Sequence, residues 1–323
     1  MILIIAKHNE PTAILINELL QQQKQNSVLV DLECFPAHDT LAFRHSAKHG
    51  SSVVYNQAKG CAIPLEKISS IFWWRPELPK ASPDLTDVAL VTHIEEASAE
   101  VVYGIFDDLD CLHFPCSRHT MRRAKLKLPQ LTLAAKLGFH IPETLVTNDP
   151  EAFLDFFNAA QTRVITKPAV ALPNPIFREV VFGYANLVQP RDLLYFQDVR
   201  LCPFIAQHYV EKKVEIRVTV VGPDVFAAEI HSQSTNRTKT DWRHYDDGNT
   251  PHFVHQLPEE IEQLCRKLVV AMGLLYGAID LILTPAGDYF FLEINPAGQF
   301  GWIEGMTGLP ISQRIVRMLV DHV

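Results

Sequence analysis

The stretch Ala278-Ile279-Asp280-Leu281-Ile282-Leu283-Thr284-Pro285-Ala286-Gly287-Asp288-Tyr289-Phe290-Phe291-Leu292-Glu293-Ile294-Asn295-Pro296 consists of two apolar runs on either side of a short turn sequence. This pattern predicts a β-hairpin. If Ala286 and Gly287 form a two-residue loop, Asp280 lies directly opposite Glu293. Asn295 then shares the face of Glu293, because successive side chains of a strand point to opposite faces of the sheet. A bulge at Gly287 would shift this register by one residue.

The acidic side chains of this hairpin have two interpretations. Facing carboxylates repel each other unless a cation lies between them, and Mg²⁺ is usually bound by one or two carboxylates together with substrate phosphates. Asp280, Glu293 and Asn295 are therefore candidate magnesium ligands. Alternatively, the acids lie on the solvent-facing edge of an ordinary hairpin. The hairpin alone leaves both interpretations open.

A longer sequence pattern favours the magnesium site over the solvent-facing hairpin edge. Asp280, followed at hairpin distance by Glu293-Ile294-Asn295-Pro296, resembles the metal-binding signature of the ATP-grasp carboxylate–amine ligases. The segment Phe291-Leu292-Glu293-Ile294-Asn295-Pro296-Ala297-Gly298-Gln299-Phe300, with Ser232-Gln233 and Asp241-Trp242-Arg243-His244-Tyr245-Asp246, resembles the ATP-grasp ligases that mature microviridin-type peptides, the graspetides. The resemblance runs from about Arg118 to the end of the chain and is weaker before it. It implies an ATP-grasp fold of α/β and α+β lobes behind an N-terminal pre-ATP-grasp α/β domain. It also implies ATP and Mg²⁺ as cofactors, and we expect two Mg²⁺ ions.

The composition restricts the class of protein. A chain of 323 residues with 47% apolar and 20% charged residues is typical of a folded protein with two or three lobes. A net charge of −8 argues against a nucleic-acid partner. The six cysteines contain no C-x-x-C pair, which is typical of a cytosolic protein with reduced thiols. No apolar run is long enough for a signal sequence or a membrane span, so we expect a soluble, cytoplasmic protein without a membrane partner. We allow for a homodimer.

The first part of the chain predicts an α/β domain. Apolar residues 2–6 and 27–31 predict two strands around a helix that begins at Pro11 and ends near Lys24. Apolar residues recur at helical spacing over 88–109, which predicts a long amphipathic helix. We place an N-terminal pre-ATP-grasp α/β domain at residues 1–117, a central ATP-grasp lobe at 118–202 and a C-terminal ATP-grasp lobe with the magnesium site at 203–323.

Trp73, Trp74 and Arg75 end a predicted strand of this first domain. The carboxyl ends of strands in α/β domains commonly bind ligands, so these side chains could hold part of a peptide substrate. Alternatively, the aromatic rings pack beneath a loop. The sequence leaves both interpretations open.

Two lysines are candidate phosphate-binding residues. Residues 118–127 form the first basic segment, and a solvated helix face is its ordinary interpretation. The resemblance instead implies a phosphate-binding lysine that opens a helix, which by spacing is Lys127, with Lys125 as the alternate. The second implied lysine is Lys167, in a β-branched strand where an ammonium group needs an anionic partner. Residues 169–175 contain no glycine, although many ATP-grasp enzymes cover the phosphates with a glycine-rich loop at this point.

The nucleotide base and ribose have candidates at a predicted hinge. The resemblance implies that backbone groups near Gln207, Tyr209 and Val210 bind the adenine edge. It implies that a following acid, for which Glu211 is our candidate, binds the ribose. The alternative is that Glu211 is only an exposed surface residue.

Two arginines are candidate catalytic residues. Arg217 matches the arginine of the family's acid-x-Arg strand, where it neutralises the transferring phosphate. Arg243 lies in the long polar segment 231–250, whose Trp242 and Tyr245 argue against plain disorder. We assign this segment to the acceptor side of the site, with Arg243 near the acyl phosphate. No side chain clearly serves as a general base.

These residues together predict an ATP-dependent ligase. The resemblance implies that side-chain carboxylates are activated as acyl phosphates and that ω-ester or ω-amide crosslinks then form in a ribosomal precursor peptide with a leader segment. One alternative is a glutamate-ligase-type enzyme that adds amino acids to a protein tail or a small molecule. A second alternative, of another class, is a catalytically inactive nucleotide-binding module. Residues 241–246 favour the peptide-crosslinking enzyme.

Overall fold

The computed structural model describes residues 1–46, 50–58, 60–160, 163–169, 172–173, 180–181, 185–234 and 250–321. The elements up to residue 114 are β1 (Ile2–Ile5), α1 (Pro11–Gln22), β2 (Ser27–Val30), β3 (Thr40–Ser46), β4 (Gly50–Asn56), β5 (Ala62–Pro64), β6 (Ser70–Trp73), α2 (Val88–Asp107) and β7 (Leu112–Phe114). Those up to residue 208 are α3 (Arg118–Ala124), α4 (Lys127–Leu137), β8 (Thr144–Thr147), α5 (Pro150–Ala159), β9 (Val164–Pro168), β10 (Leu172–Pro173), β11 (Val180–Val181), β12 (Asn186–Leu187) and β13 (Phe204–His208). The last are β14 (Val214–Val221), β15 (Asp224–Ile230), β16 (His252–Val254), α6 (Glu259–Ala271), β17 (Tyr276–Leu283), β18 (Tyr289–Asn295), α7 (Gly301–Thr307) and α8 (Ile311–Val320).

The N-terminal sheet is parallel, with strand order β2-β1-β6-β7. Every residue of β1 is apolar and buried, which is typical of a parallel strand that has a helix on each face. Ile2 and Ile4 pack towards α1, whereas Leu3 and Ile5 pack towards α2. A small antiparallel sheet, β3-β4-β5, packs beside it through Val53. The predicted α/β opening of the chain is confirmed.

Two further antiparallel sheets follow. One has the strand order β12-β9-β13-β8, and the other has the order β16-β15-β14-β17-β18. The central strand of the second sheet, β14, is buried along its whole length. Because its side chains alternate between the two faces of the sheet, Glu215, Arg217 and Thr219 lie on one face and are enclosed by protein.

The N-terminal sheet and the five-stranded sheet share one apolar core. The ring of Trp74 lies 5.6 Å from that of Tyr276 and 5.5 Å from that of Phe300, centroid to centroid. Trp74 is fully buried and Trp73 is 4% exposed, with the Trp73 indole donating to His113. The packing interpretation of this aromatic pair is therefore right, and the proposal that both rings hold a peptide is wrong, because neither ring is accessible.

The helix bounds agree closely with the sequence pattern. The first helix ends at Gln22, and the long amphipathic helix ends at Asp107. No helix within the described ranges has both the length and the apolarity that a membrane crossing requires. The domain boundaries after residues 117 and 202 stay predictions.

Candidate active site

The hairpin formed by β17 and β18 carries the predicted acidic patch. Asp280 lies directly opposite Glu293, as predicted. The two-residue loop is wrong and the alternative, a bulge at Gly287 that shifts the register by one residue, is right: Thr284 N donates to Asp288 O at 2.9 Å, so the loop consists of residues 285–287. Gly287 has a φ of 97°, the left-handed conformation that a three-residue hairpin loop needs at this position. A second irregularity, between Asp280 and Leu281, restores the register, so the acids face each other despite the longer turn.

Each acid of the pair is neutralised by a cation of the chain. Arg217 of β14 lies opposite Asp280, and its Nη1 donates to Asp280 Oδ1 at 2.8 Å. Lys127, the first residue of α4, donates from Nζ to Glu293 Oε2 at 2.7 Å. These two pairs relieve the repulsion between the facing carboxylates. The structure therefore brings four of the predicted site residues into one charged patch.

Arg217 is nearly enclosed, with its side chain 7% exposed. Burial by itself lowers the pKa of this guanidinium, but the charge of Asp280, together with Tyr276 and Glu293, raises the pKa above its ordinary value. The raised pKa keeps the guanidinium charged. Arg217 is therefore a permanent cation beside the two acids.

Asn295, the third predicted magnesium ligand, lies at the end of β18 opposite Ala278. Its side chain is exposed, and its Oδ1 accepts a hydrogen bond from the backbone of Ala297 at 3.1 Å. The chain then passes close to the patch at Gly298, where a Cβ atom would lie 2.6 Å from Arg217 Nη2. The same Cβ atom would lie 2.6 Å from Ala278 Cβ, so the guanidinium and Ala278 together exclude a side chain at position 298.

A cleft of about 680 Å³, including its open mouth, lies between the four-stranded and the five-stranded sheets. Six predicted site residues line the cleft: Lys167, Gln207, Tyr209, Val210, Asp280 and Glu293. Glu211 is exposed and is not part of this lining. The ribose role of Glu211 stays a prediction, and its position does not favour it.

One end of the cleft, where the sequence predicts adenine binding, is formed by the hinge after β13. The backbone N–H of Tyr209 donates to Arg163 O at 2.6 Å, and the Arg163 guanidinium lies 4.2 Å from the centre of the Tyr209 ring. Gln207 Nε2 donates to Thr144 Oγ1 at 2.8 Å. Gln207 Oε1 is buried and accepts no hydrogen bond from the residues that the structure describes. A buried acceptor at the edge of the cleft fits a ligand with an N–H donor, such as the amino group of adenine.

Lys212 and Glu215 also line the cleft, although the sequence did not single them out as site residues. Lys212 Nζ donates to Glu215 Oε1 at 2.7 Å, and these side chains are only 4% and 7% exposed. Ser232 Oγ donates to the same oxygen at 2.9 Å. The alternation of β14 places Glu215 on the face of Arg217, which was a usable signal for Glu215. The burial of Lys212 follows from the path of the hinge, for which the sequence has no local signal.

The acidic patch fits Mg²⁺ only in combination with a ligand. Across the described ranges, no three His, Cys, Asp or Glu side chains converge as a protein-only metal site requires. Asp280 and Glu293 supply two carboxylates and Asn295 an amide oxygen, so phosphate oxygens of ATP would complete the coordination. Arg243 and the rest of 241–246 lie outside the described residues, as do 170–171 and 174–175 of the segment expected to cover the phosphates.

Comparison with known proteins agrees with this geometry. Residues 124–319 match the family model of the RimK-like ATP-grasp domain. The chain is similar to a solved RiPP-associated ATP-grasp ligase from Chryseobacterium gregarium in complex with ADP and a leader and core peptide (28% identity, 100% of this chain, 97% of that chain, TM-score 0.90). It is also similar to the macrocyclase MdnC from Microcystis aeruginosa MRC bound with precursor peptide MdnA (26% identity, 99% of each chain, TM-score 0.86). The alpha-aminoadipate–LysW ligase LysX of Sulfurisphaera tokodaii is 21% identical over 266 residues, which are 81% of this chain and 90% of that protein.

Proposed function

The chain belongs to the RimK-like ATP-grasp family, and from this we infer that it is an ATP-dependent ligase that forms side-chain ester or amide crosslinks in a ribosomally made peptide. The observation that carries the proposal is the similarity, over the full length of the chain, to a ligase solved with ADP and with leader and core peptides. The similarity includes the N-terminal domain, which lies before the matched family model.

The charged patch supports the phosphate chemistry of this reaction. Asp280, Glu293 and Asn295 would hold Mg²⁺, and we propose two ions. Bound Mg²⁺ neutralises phosphate charge during transfer. Lys127 and Arg217 already lie beside the two acids, so the same patch presents cations to a phosphate group.

The proposed reaction has two steps and needs no reactant other than the peptide and ATP. A side-chain carboxylate oxygen of the peptide attacks the γ-phosphorus of ATP, and ADP leaves. A hydroxyl or amine of the same peptide then attacks the acyl carbon, and phosphate leaves, so the peptide loses one water for each ring. We propose that Arg217 stabilises charge in the first step, and its position beside Asp280 supports this role. Arg243 is proposed for the second step.

The nucleotide lies in the cleft between the sheets in this proposal. Lys167 binds phosphate, and the hinge at Gln207, Tyr209 and Val210 binds adenine. For the ribose we propose Glu215 beside the earlier candidate Glu211, because Glu215 lines the cleft.

The proposed substrate is a precursor peptide with a leader segment. A leader bound outside the active site raises the effective concentration of a weakly bound core, which lets one enzyme close several rings. We further propose a homodimer. We place the enzyme in the cytoplasm, where its six cysteines, which are free thiols, would stay reduced.

The proposal predicts that a short peptide with repeated Thr or Ser and Asp or Glu residues is encoded beside this gene, and the experiment uses that candidate precursor. The peptide is incubated with enzyme, ATP and Mg²⁺, once with its leader attached, once without the leader and once with the leader added as a separate molecule. Mass spectrometry should show the loss of one water per ring and the release of ADP, most efficiently when the leader is attached. No change in the peptide mass in any arm, with folded enzyme, would refute the proposal.

A second candidate function is the addition of amino acids to a protein tail or a small molecule. The similarity to the LysW ligase, over 81% of the chain, is the observation in its favour. It predicts that a peptide or protein gains the mass of an amino acid residue instead of losing water. Supplying free glutamate or aminoadipate in the same assay separates the two functions.

A further inference from the structure

The loop that follows the hairpin, residues 296–300, is fastened to two parts of the molecule. On the side of the hairpin, the backbone N–H of Ala297 donates to Asn295 Oδ1, and the carbonyl of Gly298 accepts from the buried hydroxyl of Tyr276. On the side of the N-terminal domain, the ring of Phe300 packs against Trp74. The loop therefore connects the acidic patch to the first domain.

Gln299 connects this loop to the N-terminal domain through two side-chain hydrogen bonds. Its Oε1 accepts from Thr12 Oγ1 at 2.8 Å, and its Nε2 donates to Glu10 Oε1 at 2.8 Å. The other carboxylate oxygen of Glu10 accepts from the backbone of Ala13 at 2.6 Å and so caps α1. Thr12 is only 6% exposed. Both ends of the Gln299 amide are thus held by the first turn of α1.

This loop lies against Arg217 and Asn295, which belong to the proposed binding site for phosphate and magnesium. Gly298 is buried, and a Cβ atom on it would lie 2.6 Å from Arg217 Nη2 and 3.2 Å from Asn295 Cβ. The backbone of the loop is therefore in close contact with both residues. A displacement of a few tenths of an ångström at residue 298 would open a gap beside the guanidinium or press upon it.

We infer that Gln299 is a positioning residue for magnesium-nucleotide binding: by fastening residues 296–300 to α1, it holds Arg217 and Asn295 in place. The N-terminal domain then forms part of the phosphate site through Glu10 and Thr12. The inference rests on the ATP-dependent half of the proposed function, but it does not depend on which acceptor the enzyme uses.

The test is the substitution Gln299→Glu. Glutamate keeps the size of the side chain and the acceptor for Thr12, but it places a carboxylate against Glu10. We expect the Mg²⁺ concentration that gives half-maximal ADP binding to rise about three- to tenfold, the effect of losing the hydrogen bond to Glu10. ADP binding in EDTA should be unchanged. Isothermal calorimetry of ADP at a series of Mg²⁺ concentrations measures both quantities.

Two further variants separate positioning from general loss of stability. Ser312→Ala removes the bond from Ser312 Oγ to Glu304 Oε1, 2.6 Å long and in the same C-terminal lobe, and it should leave the Mg²⁺ dependence unchanged. The double variant Glu10→Gln with Gln299→Glu reverses donor and acceptor, and it should restore the wild-type dependence. If Gln299→Glu does not fold, Thr12→Val removes one of the same bonds and should raise the Mg²⁺ requirement in the same direction.

A folded Gln299→Glu variant with the wild-type Mg²⁺ dependence would overturn the inference. So would an equal loss of ADP binding with and without Mg²⁺, because that result indicates general damage to the cleft. A wild-type enzyme that leaves the peptide unchanged would refute the peptide-ligase proposal, but the ADP and Mg²⁺ titrations would still decide the role of Gln299.

Discussion

The buried pair of Arg217 and Asp280 gives a quantitative prediction for the substitution Arg217→Met. Arg217 Nη1 lies 2.8 Å from Asp280 Oδ1, and the two side chains are 7% and 13% exposed. Methionine fills much of the same volume but removes the guanidinium from the side of the Asp280 carboxylate, which lies close to Glu293. Breaking a buried ion pair in this way costs about 3–5 kcal/mol. With an unfolding entropy of about 2.1 cal/mol/K per residue, a chain of 323 residues should then lose roughly 4–7 °C in Tm.

Denaturant unfolding measures this effect as a lower midpoint at an unchanged slope. The double variant Arg217→Met with Asp280→Asn should recover most of the loss, because no buried charge is then left unpaired. The matched control is Arg266→Met, which breaks a pair with Glu262 whose side chains are 41% and 33% exposed. That control should cost about 1 kcal/mol or less. A decrease in the free energy of unfolding below about 1 kcal/mol for Arg217→Met would refute the conclusion that Arg217 and Asp280 form a buried ion pair that stabilises the fold.

Three further predictions concern binding, reactivity and pH. Lys127→Met should weaken ATP binding about ten- to hundredfold in calorimetry, whereas Lys125→Met should not; the reverse result would move the phosphate-binding lysine by two residues. Burial raises the pKa of Cys265 to about 12, so iodoacetamide at pH 8 should label exposed Cys61 but not Cys265 in the folded protein; rapid labelling of Cys265 would contradict its buried position. Burial acts to raise the pKa of Glu229, but hydrogen bonds from two histidines lower the pKa below its ordinary value of about 4.5. The stability that Glu229 contributes relative to Glu229→Gln should be present above pH 4.5 and lost as the pH falls below it; a difference that does not depend on pH in unfolding titrations would refute this.

The sequence predicted those parts of the site that depend on local periodicity. The alternation along the strand put Asn295 on the face of Glu293, and the unbroken register of residues 293–295 confirms it. Asp280 lies opposite Glu293 as predicted, although the two-residue loop assumed for this pairing is wrong. The resemblance to the ATP-grasp ligases also implied a helix that begins at Lys127, and α4 begins there. These features follow from the residues within one or two elements, so a single sequence contains the information.

The parts that the sequence did not predict depend on contacts between distant segments. The three-residue turn shifts the hairpin register, and the irregularity beside Asp280 restores it, so two local deviations cancel. Trp74 is buried because Tyr276 and Phe300 cover it, and these residues lie about two hundred positions later in the chain. The Lys212–Glu215 pair depends in the same way on how the hinge folds over β14.

Peptide mass after reaction with wild-type enzyme and with Glu293→Gln tests the central claim most directly. The candidate precursor peptide, with its leader attached, is incubated with each enzyme, ATP and Mg²⁺. The intact mass of the peptide is then measured by mass spectrometry. The account predicts that the wild-type enzyme removes whole waters from the peptide. It predicts that folded Glu293→Gln removes almost none, because an amide is a poor substitute for a carboxylate ligand of Mg²⁺ and for the partner of Lys127. A peptide that gains the mass of an amino acid, or full ring formation by Glu293→Gln, would contradict the account.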